Sequence, residues 1–286
     1  MRIPSRMYDM NHSNTYKPLK CVVEDVIEES PTIKTVVLIP EKEFTFEAGQ
    51  FISFTVPGIG EAPFTPSSSP SVKNKLEVTV MRTGLVTDAI HKLKKNDIVG
   101  IRGPYGKPYP LDKFAKKDVL LVGGGVGLAP IRALFYALIN TIDQYKKIVF
   151  CCGAKTPADY IYKGLILNEW LKLSEKFPIS FRITVDRKDD NWKFGEGLVT
   201  KTLDNLDVDI SNSVAIVCGP PVMMKFVTLK LLDVGYKDSD IYLSMERKMY
   251  CAVGHCRHCL IGAYFVCKDG PVFTYDLIKN EPGVWA

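Results

Sequence analysis

The chain has 286 residues, of which 46% are hydrophobic and 24% charged, and a formal net charge of +5. That length implies about two domains with room for a third small one, and the composition is that of a globular protein with a substantial core. The basic residues are dispersed and the apolar stretches are only strand-length, so neither a nucleic-acid patch nor a transmembrane helix is expected.

Residues 1–19 contain Arg2, Arg6 and Lys17 but no apolar segment, so they read as a flexible tail rather than a secretory signal, and the protein as cytoplasmic. Residues 20–112 read as strands. Stretches 20–27, 33–39, 50–56, 76–82 and 97–102 are rich in Val, Ile, Thr and Phe and are punctuated by Gly, Pro, Ser and Asn. That pattern predicts a small antiparallel barrel or sandwich, with one short helix over 87–93 and Thr87 as its N-cap. From about residue 116 the rhythm changes. Strands at 118–122, 147–152, 179–185, 213–218 and 241–244 alternate with helices at 130–139, 165–174, 197–205 and 222–232. Such alternation predicts βαβ units and a parallel sheet across 113–244. Runs such as Val119-Leu120-Leu121-Val122 suit strands buried on both faces. Residues 245–286 show little periodicity and hold four Cys, two His and four Gly. So small a unit needs a staple such as a metal cluster.

The eight cysteines do not read as a disulfide framework. Cys21, Cys151, Cys152 and Cys218 fall inside apolar runs, as small buried hydrophobes do. Cys251, Cys256, Cys259 and Cys267 follow the spacing C-x4-C-x2-C-x7-C. The first three match the plant-type [2Fe-2S] pattern. The segment alone leaves structural zinc open, although zinc favours paired C-x2-C knuckles and only one is present. His255 and His258 interrupt the loop.

Two turns suggest a nucleotide. Gly123, Gly124, Gly125 and Gly127 follow a strand and open a helix, where glycines let a backbone approach a pyrophosphate at the helix N-terminus. The run is not a clean G-x-G-x-x-G, and tight packing would also explain it. Cys218-Gly219-Pro220-Pro221 ends another strand, where ligands bind in open α/β sheets. A helix start with Pro at N1 is the simpler reading of that loop. In Glu61-Ala62-Pro63-Phe64-Thr65-Pro66-Ser67-Ser68, Phe64 can stack on a flat ring. Thr65, Ser67 and Ser68 can hydrogen-bond a ring or phosphate, although composition alone reads as a loop.

This order of motifs resembles the ferredoxin–NADP reductase superfamily. The resemblance implies a β-barrel FAD domain, an α/β parallel-sheet nucleotide-binding domain and a small C-terminal iron–sulfur domain over 245–286. Phe64 and Thr65 match the ring-stacking Tyr and the Ser near flavin N5 of the family's flavin motif. The motif's Arg falls at Ala62, and Arg82, Gly84 and Thr87 of a second flavin segment are the replacement contacts. Gly103-Pro104-Tyr105-Gly106 matches a family turn. Met245-Glu246-Arg247-Lys248-Met249-Tyr250-Cys251 and Asp269-Gly270-Pro271-Val272-Phe273 are similar to one branch. That branch holds the dihydroorotate dehydrogenase electron-transfer subunit, hydrogenase and sulfhydrogenase γ subunits, and the corresponding subunit of anaerobic sulfite reductase. Pro63, Phe64, Thr65, Ser67, Ser68, Arg82, Gly84 and Thr87 are then the flavin set. Gly123, Gly124, Gly125, Gly127, Gly219 and Pro220 are the nicotinamide set, Thr65, Phe64 and Cys218 the catalytic set, and the four clustered cysteines the metal ligands. The implied function is an FAD- and [2Fe-2S]-containing NAD(P)H diaphorase subunit. Its implied partner is a hydrogenase, sulfhydrogenase or sulfite reductase, with dihydroorotate dehydrogenase as the alternative. A competing reading is a nucleotide-binding module with a zinc knuckle and no electron transfer.

Overall fold

Residues 16–285 are described in the computed structural model, and the tail expected over residues 1–19 lies largely outside them. The barrel half contains β1 (Leu19–Ser30), β2 (Ile33–Pro40), β3 (Phe51–Val56), β4 (Gly60–Phe64), β5 (Leu76–Met81), the helix α1 (Leu85–Ile90) and β6 (Ile98–Tyr105). The six strands form one antiparallel sheet in the order β4-β3-β6-β1-β2-β5. A bridge from Pro66 to Val78 ties the end of β4 towards β5, so the sheet curls and its edges meet. Alternate side chains, among them Val36, Leu38, Ile52, Phe54, Val78 and Val80, fill the interior. Each such burial contributes roughly 1.5–3 kcal/mol before chain entropy is set against it. β4 corrects the loop reading of 60–64: Pro63 is tolerated because β4 is an edge strand. Thr87 is not the N-cap either. Gly84 occupies that place and Thr87 sits in the first turn.

The second half contains β7 (Asp118–Gly124), α2 (Leu128–Ile139), β8 (Lys147–Ala154), α3 (Lys163–Asn168), β9 (Ile179–Val185), β10 (Gly195–Glu196), β11 (Ser213–Cys218), α4 (Pro221–Asp233) and β12 (Ile241–Ser244). These strands are parallel, in the order β10-β9-β8-β7-β11-β12. The period-2 rule sorts each strand onto two cores. Val119, Leu121, Ile148, Phe150 and Cys152 join the α2 side, while Leu120, Val122, Val149 and Cys151 join the α4 side. The helix expected over 165–174 is instead α3 followed by a 3₁₀ segment, Trp170–Glu175. Trp170 is drawn into the core against Phe135, with ring centroids 4.5 Å apart, and this tertiary packing overrides the local pattern. The short helix expected over 197–205 is a 3₁₀ turn, Val199–Leu203.

The C-terminal segment adds the hairpin β13 (Leu260–Ile261) and β14 (Tyr264–Phe265), then α5 (Val266–Asp269), β15 (Val272–Thr274) and α6 (Tyr275–Ile278). β15 pairs antiparallel with β12 and extends the large sheet by a seventh strand. Ala252, Cys259, Ile261, Val266, Cys267 and Phe273 share the core of Leu120 and Val122. The segment therefore leans on the sheet as well as on any metal.

One partly buried ion pair joins the two halves. Arg132 of α2 pairs with Glu77 of β5, and its guanidinium lies 4.7 Å from the centroid of the Tyr162 ring. The backbone N–H of Tyr162 donates to Glu29 of β1 at 2.8 Å. Removing Glu77 strands a cation that is largely out of water. Glu77→Ala is expected to cost about 2–3 kcal/mol of stability, a value discounted for the pair's partial exposure. Thermal unfolding at matched pH would read this as a lowered Tm.

Candidate active site and cluster loop

Parallel pairing sets Cys218 opposite Gly123, so the two glycine-bearing loops leave adjacent strands side by side. Their approach leaves no space for side chains. A Cβ on Gly127 would lie 2.5 Å from the Cys218 carbonyl oxygen and 2.6 Å from the Gly219 Cα. One on Gly124 would meet Met223 Sδ at 2.4 Å, and one on Gly219 the Met223 Cε at 2.6 Å. Gly125 has φ +56° with open space around it. Pro220 caps α4 and Pro221 opens it, so both loops run directly into helix N-termini. A backbone cradle of this kind suits a dinucleotide's phosphates.

A cavity of about 290 Å³ opens between the barrel, the start of α2 and the segment after β12. Its walls include Ala62, Pro63, Phe64, Thr65 and Thr87 from the barrel, Val126, Ala129 and Pro130 beside the glycine turn, and Ser244, Met245, Glu246, Arg247, Met249 and Pro271 from the C-terminal third. This volume sits near the lower end of the roughly 300–1,000 Å³ of small-molecule pockets, and it suits a flat ring rather than a whole dinucleotide. Pro63, Phe64 and Thr65 are therefore brought together as expected. Sequence reasoning alone misses the wall from Ser244 to Met249. The signal for it is the Met-Glu-Arg-Lys-Met run, whose likeness to one branch says nothing of a cavity. Arg247 is the cation on the wall, donating to the Glu246 carbonyl oxygen at 2.8 Å and to that of Gly283. Glu246 keeps an exposed face, yet its crowded surroundings push its carboxyl up.

Several expected flavin contacts are placed elsewhere. Ser67 is fully buried and bonds the Glu77 carbonyl oxygen and the Thr79 hydroxyl, while the Ser68 hydroxyl accepts from the Glu77 N–H at 3.1 Å. Both hydroxyls stitch the chain onto β5, and neither residue lines the cavity. Arg82 reaches Asp88 at 2.6 Å on the surface. Thr87 does line the cavity, but its hydroxyl accepts from the N–H groups of Thr83 and Gly84 and donates to the Gly84 carbonyl oxygen, so that oxygen serves the turn. Cys218 is 2% exposed and off the cavity wall. Burial raises its thiol, and the nearby Glu246 carboxylate adds to the effect, so a reactive thiolate is disfavoured there.

The edge strand β4 is fixed from behind. Arg102 of β6 grips Glu61 with its Nε at 3.0 Å and with Nη2, and Ser53 and Thr55 donate to the same carboxylate at 3.0 and 2.8 Å. Burial alone would raise Glu61, but these hydrogen bonds hold it below the usual carboxylate range. Beyond β6, the Gly-Pro-Tyr-Gly turn abuts the Asp-Gly-Pro-Val-Phe stretch. The Lys107 N–H donates to the Gly270 carbonyl oxygen at 2.6 Å, and a Cβ on Gly106 would lie 2.6 Å from that same oxygen.

Cys251, Cys256 and Cys259 lie on one loop before the β13–β14 hairpin, and Cys267 lies in α5 directly after it. The loop closes through positive φ at Ala252, Gly254 and Arg257. The N–H groups of His255 and Cys256 both donate to Cys251 Sγ at 3.3 Å, and that of Gly254 to Cys267 Sγ at 3.2 Å. Amide donors lower the Cys256 thiol to about 7, the His258 N–H first, whereas burial raises Cys267 to about 12. Cys251 acts on the thiol of Cys256, and Cys259 and Cys251 both act on that of Cys267, so the four sulfurs share one neighbourhood. Among the described residues no three donors close on a single point. Four sulfurs in the C-x4-C-x2-C-x7-C spacing, with amide donors already aimed at two of them, suit the plant-type binuclear cluster.

Comparison with known proteins follows this division of the chain. Residues 20–109 match the oxidoreductase FAD-binding domain, 121–228 the oxidoreductase NAD-binding domain, and 246–279 the iron–sulfur cluster binding domain of dihydroorotate dehydrogenase B. The sequence is 37% identical over 248 residues to the sulfhydrogenase 2 subunit gamma of Pyrococcus furiosus, covering 82% of this chain and 85% of that one. It is 34% identical over 270 residues to a probable dihydroorotate dehydrogenase B (NAD(+)) electron transfer subunit of Methanocaldococcus jannaschii, covering 92% of each. The chain belongs to this family of electron-transfer subunits. Its fold is the ferredoxin–NADP reductase fold. It superposes with TM-score 0.72, at 23% identity over 91% of each chain, on an NADH-dependent reduced ferredoxin–NADP oxidoreductase. It superposes with TM-score 0.67, at 17% identity over 80% of this chain and 97% of the other, on the cytochrome b5 reductase domain of Ulva prolifera nitrate reductase. Like its family, this electron-transfer subunit is an NAD(P)H-linked flavin oxidoreductase that carries FAD and an iron–sulfur cluster of the [2Fe-2S] type. Among the described residues no helix is long and apolar enough to cross a membrane.

Two outcomes are expected of this site. Gly127→Ala forces the two loops apart and should weaken nicotinamide binding at least tenfold, about 1.4 kcal/mol or more, with flavin content unchanged. Titration of NADH against flavin absorbance would measure it. Assays of the purified holoprotein should find about two irons and two acid-labile sulfides per chain, and one zinc without sulfide would refute the [2Fe-2S] assignment.

Proposed function

We propose that this subunit is the nicotinamide-side module of a multisubunit redox enzyme. It passes electrons between NAD(P)H and a partner of the hydrogenase, sulfhydrogenase or anaerobic sulfite reductase kind, in the cytoplasm. The observation that carries the proposal is spatial. The nucleotide cradle and the segment after Ser244 leave the same edge of the sheet, the ring-sized cavity opens between them and the barrel, and residues 244–251 run from the cavity wall to the first clustered cysteine. FAD and the [2Fe-2S] cluster, when bound, supply two-electron acceptance and one-electron relay.

The chain's own contribution is alignment. The turns at 123–127 and 218–221 hold the dinucleotide's phosphates through backbone N–H groups. Pro63 and Phe64 offer an apolar wall to a flat ring. Thr65 presents the hydroxyl that orients the reacting edge. The methionines Met245 and Met249 keep water from the inner wall. Proximity dominates such a transfer, so no general acid or base is required. The buried Cys218 thiol fits this reading, because it shapes the loop without needing to react.

A second reading, the electron-transfer subunit of a dihydroorotate dehydrogenase, is favoured by the 246–279 match and by the relative that spans 92% of this chain. Partner capture separates them. Purification of the native complex under anaerobic conditions, with mass spectrometry of the co-eluting subunits, should return hydrogenase- or sulfite-reductase-type subunits. A flavin-containing dihydroorotate dehydrogenase subunit in their place would decide for the second reading. For the site itself, Thr65→Ala should slow anaerobic reduction of the flavin by NADH about tenfold, the loss of one oriented hydrogen bond, with FAD still bound. An unchanged rate would remove Thr65 from the reaction.

A further inference from the structure

The four cysteines are not equivalent in burial. Cys259 and Cys267 are each 2% exposed, whereas Cys251 and Cys256 are only half-buried. The pair from Cys251 and Cys256 therefore forms the outward edge of the cluster site, and the other pair faces the shared core. The charged side chains of the cluster loop itself have one sign. From residue 247 to 268 the sequence carries Arg247, Lys248, Arg257 and Lys268 and no Asp or Glu. Lys248, Arg257 and Lys268 are exposed. Lys248 Nζ sits 5.4 Å from the centroid of the Tyr250 ring, which is 53% exposed and packs edge-on against His258. Lys268 lays its stem over the cluster loop, its Cδ 3.3 Å from where a Gly254 Cβ would stand. Three acids stand beside this segment: the Asp269 carboxylate accepts the Phe265 N–H at 2.8 Å, Glu281 lies against Gly262 of the hairpin, and Glu246 lines the cavity, so the cations are concentrated on the loop and the acids flank it.

We propose that this rim of Lys248, Arg257 and Lys268, centred on Tyr250 and the Cys251–Cys256 edge, is the docking face for an acidic surface on the partner redox protein. The inference rests on the electron-transfer reading above and specifies the partner's chemistry. A flat aromatic at the centre excludes water while cations at the edge steer and orient, the division of labour of a transient electrostatic interface. Steering places the partner's own redox centre against the half-buried Cys251–Cys256 edge, the more accessible side of the cluster site.

The test uses the full-length holoprotein reduced anaerobically with dithionite, freed of excess reductant and mixed in a stopped flow with two small acceptors. Ferricyanide is anionic and is reduced to ferrocyanide. Hexaammineruthenium(III) is cationic and is reduced to the ruthenium(II) complex. Each takes one electron while the cluster's visible absorption recovers. With the face as proposed, the ferricyanide rate falls about tenfold between roughly 20 and 500 mM salt, and the ruthenium rate rises or stays level. The triple variant Lys248→Glu, Arg257→Glu, Lys268→Glu should exchange the two slopes, and the milder set of three Gln substitutions should flatten both. A control with the same change in net charge on barrel loops, Lys42→Glu, Lys73→Glu, Lys94→Glu, should leave them as in the parent. Binding of a fluorescein-labelled poly-glutamate peptide, followed by anisotropy, should weaken in the face variants and not in the control. Equal slopes for both acceptors in the parent, or equal effects of the face and control variants, would overturn the proposal. Reduction by NADH is measured separately. A chain that NADH cannot reduce but that keeps the slopes loses the nicotinamide reading, while one that NADH reduces but that shows no slopes loses the docking face.

Discussion

Parallel strand pairing is the constraint on which the site depends. β7, β8, β9, β11 and β12 run in one direction, so their carboxyl ends share one edge of the sheet. The turn at 123–127, the loop at 218–221 and the segment after Ser244 are therefore neighbours, although they lie as much as 120 residues apart in sequence. Glycine makes the closest of these approaches possible. Backbone meets backbone at Gly127, where any side chain would collide with Cys218 and Gly219. The same edge receives the barrel's β4, and the space left between them is the cavity.

The barrel must hold its contribution still. Phe64 and Thr65 are carried by an edge strand and its end, which one neighbour alone would leave free to fray. The Glu61 carboxylate counters this by binding Arg102, Ser53 and Thr55 on two other strands. A bidentate, charge-assisted contact fixes orientation as well as position. Arg102 is buried and also bonds the Tyr105 hydroxyl at 2.9 Å, so the clamp continues into the turn that touches Gly270. Positioning of the flavin wall and of the cluster segment is thus mechanically linked through β6.

The alternation of strand and helix, the four-cysteine spacing and the apolar Phe64 region are legible in the sequence because each is a local pattern. Val119 to Val122 suits a strand buried on both faces, and its place in the strand–helix alternation settles the reading. What is not legible depends on contacts between distant residues. Ser67 and Ser68 have the chemistry of ligand contacts, but their hydroxyls find partners on β5 before any ligand does. Arg82 is matched by Asp88 in the same way. β4 escapes notice because Pro63 and Gly60 read as punctuation, and only pairing with β3 reveals an edge strand. The run from Met245 to Met249 has no period of its own, since its role is to cross between two sites. The Gly-Pro-Tyr-Gly and Asp-Gly-Pro-Val-Phe stretches are each visible, and their contact with one another is not.

That crossing segment explains why the cavity and the cluster loop belong to one device. Met249 lines the cavity, and Cys251 follows two residues later. Two peptide units span at most roughly 7 Å between Cα atoms. The first thiolate therefore cannot lie far from the cavity, whatever the loop beyond it does. The sheet guards the same distance from the other side, because β15 pins Val272, Phe273 and Thr274 to β12 directly before that segment begins. A domain joined by a flexible linker would let this separation vary, and with it any exchange of electrons between the two sites. Here covalent connection sets its upper limit and strand pairing keeps it constant.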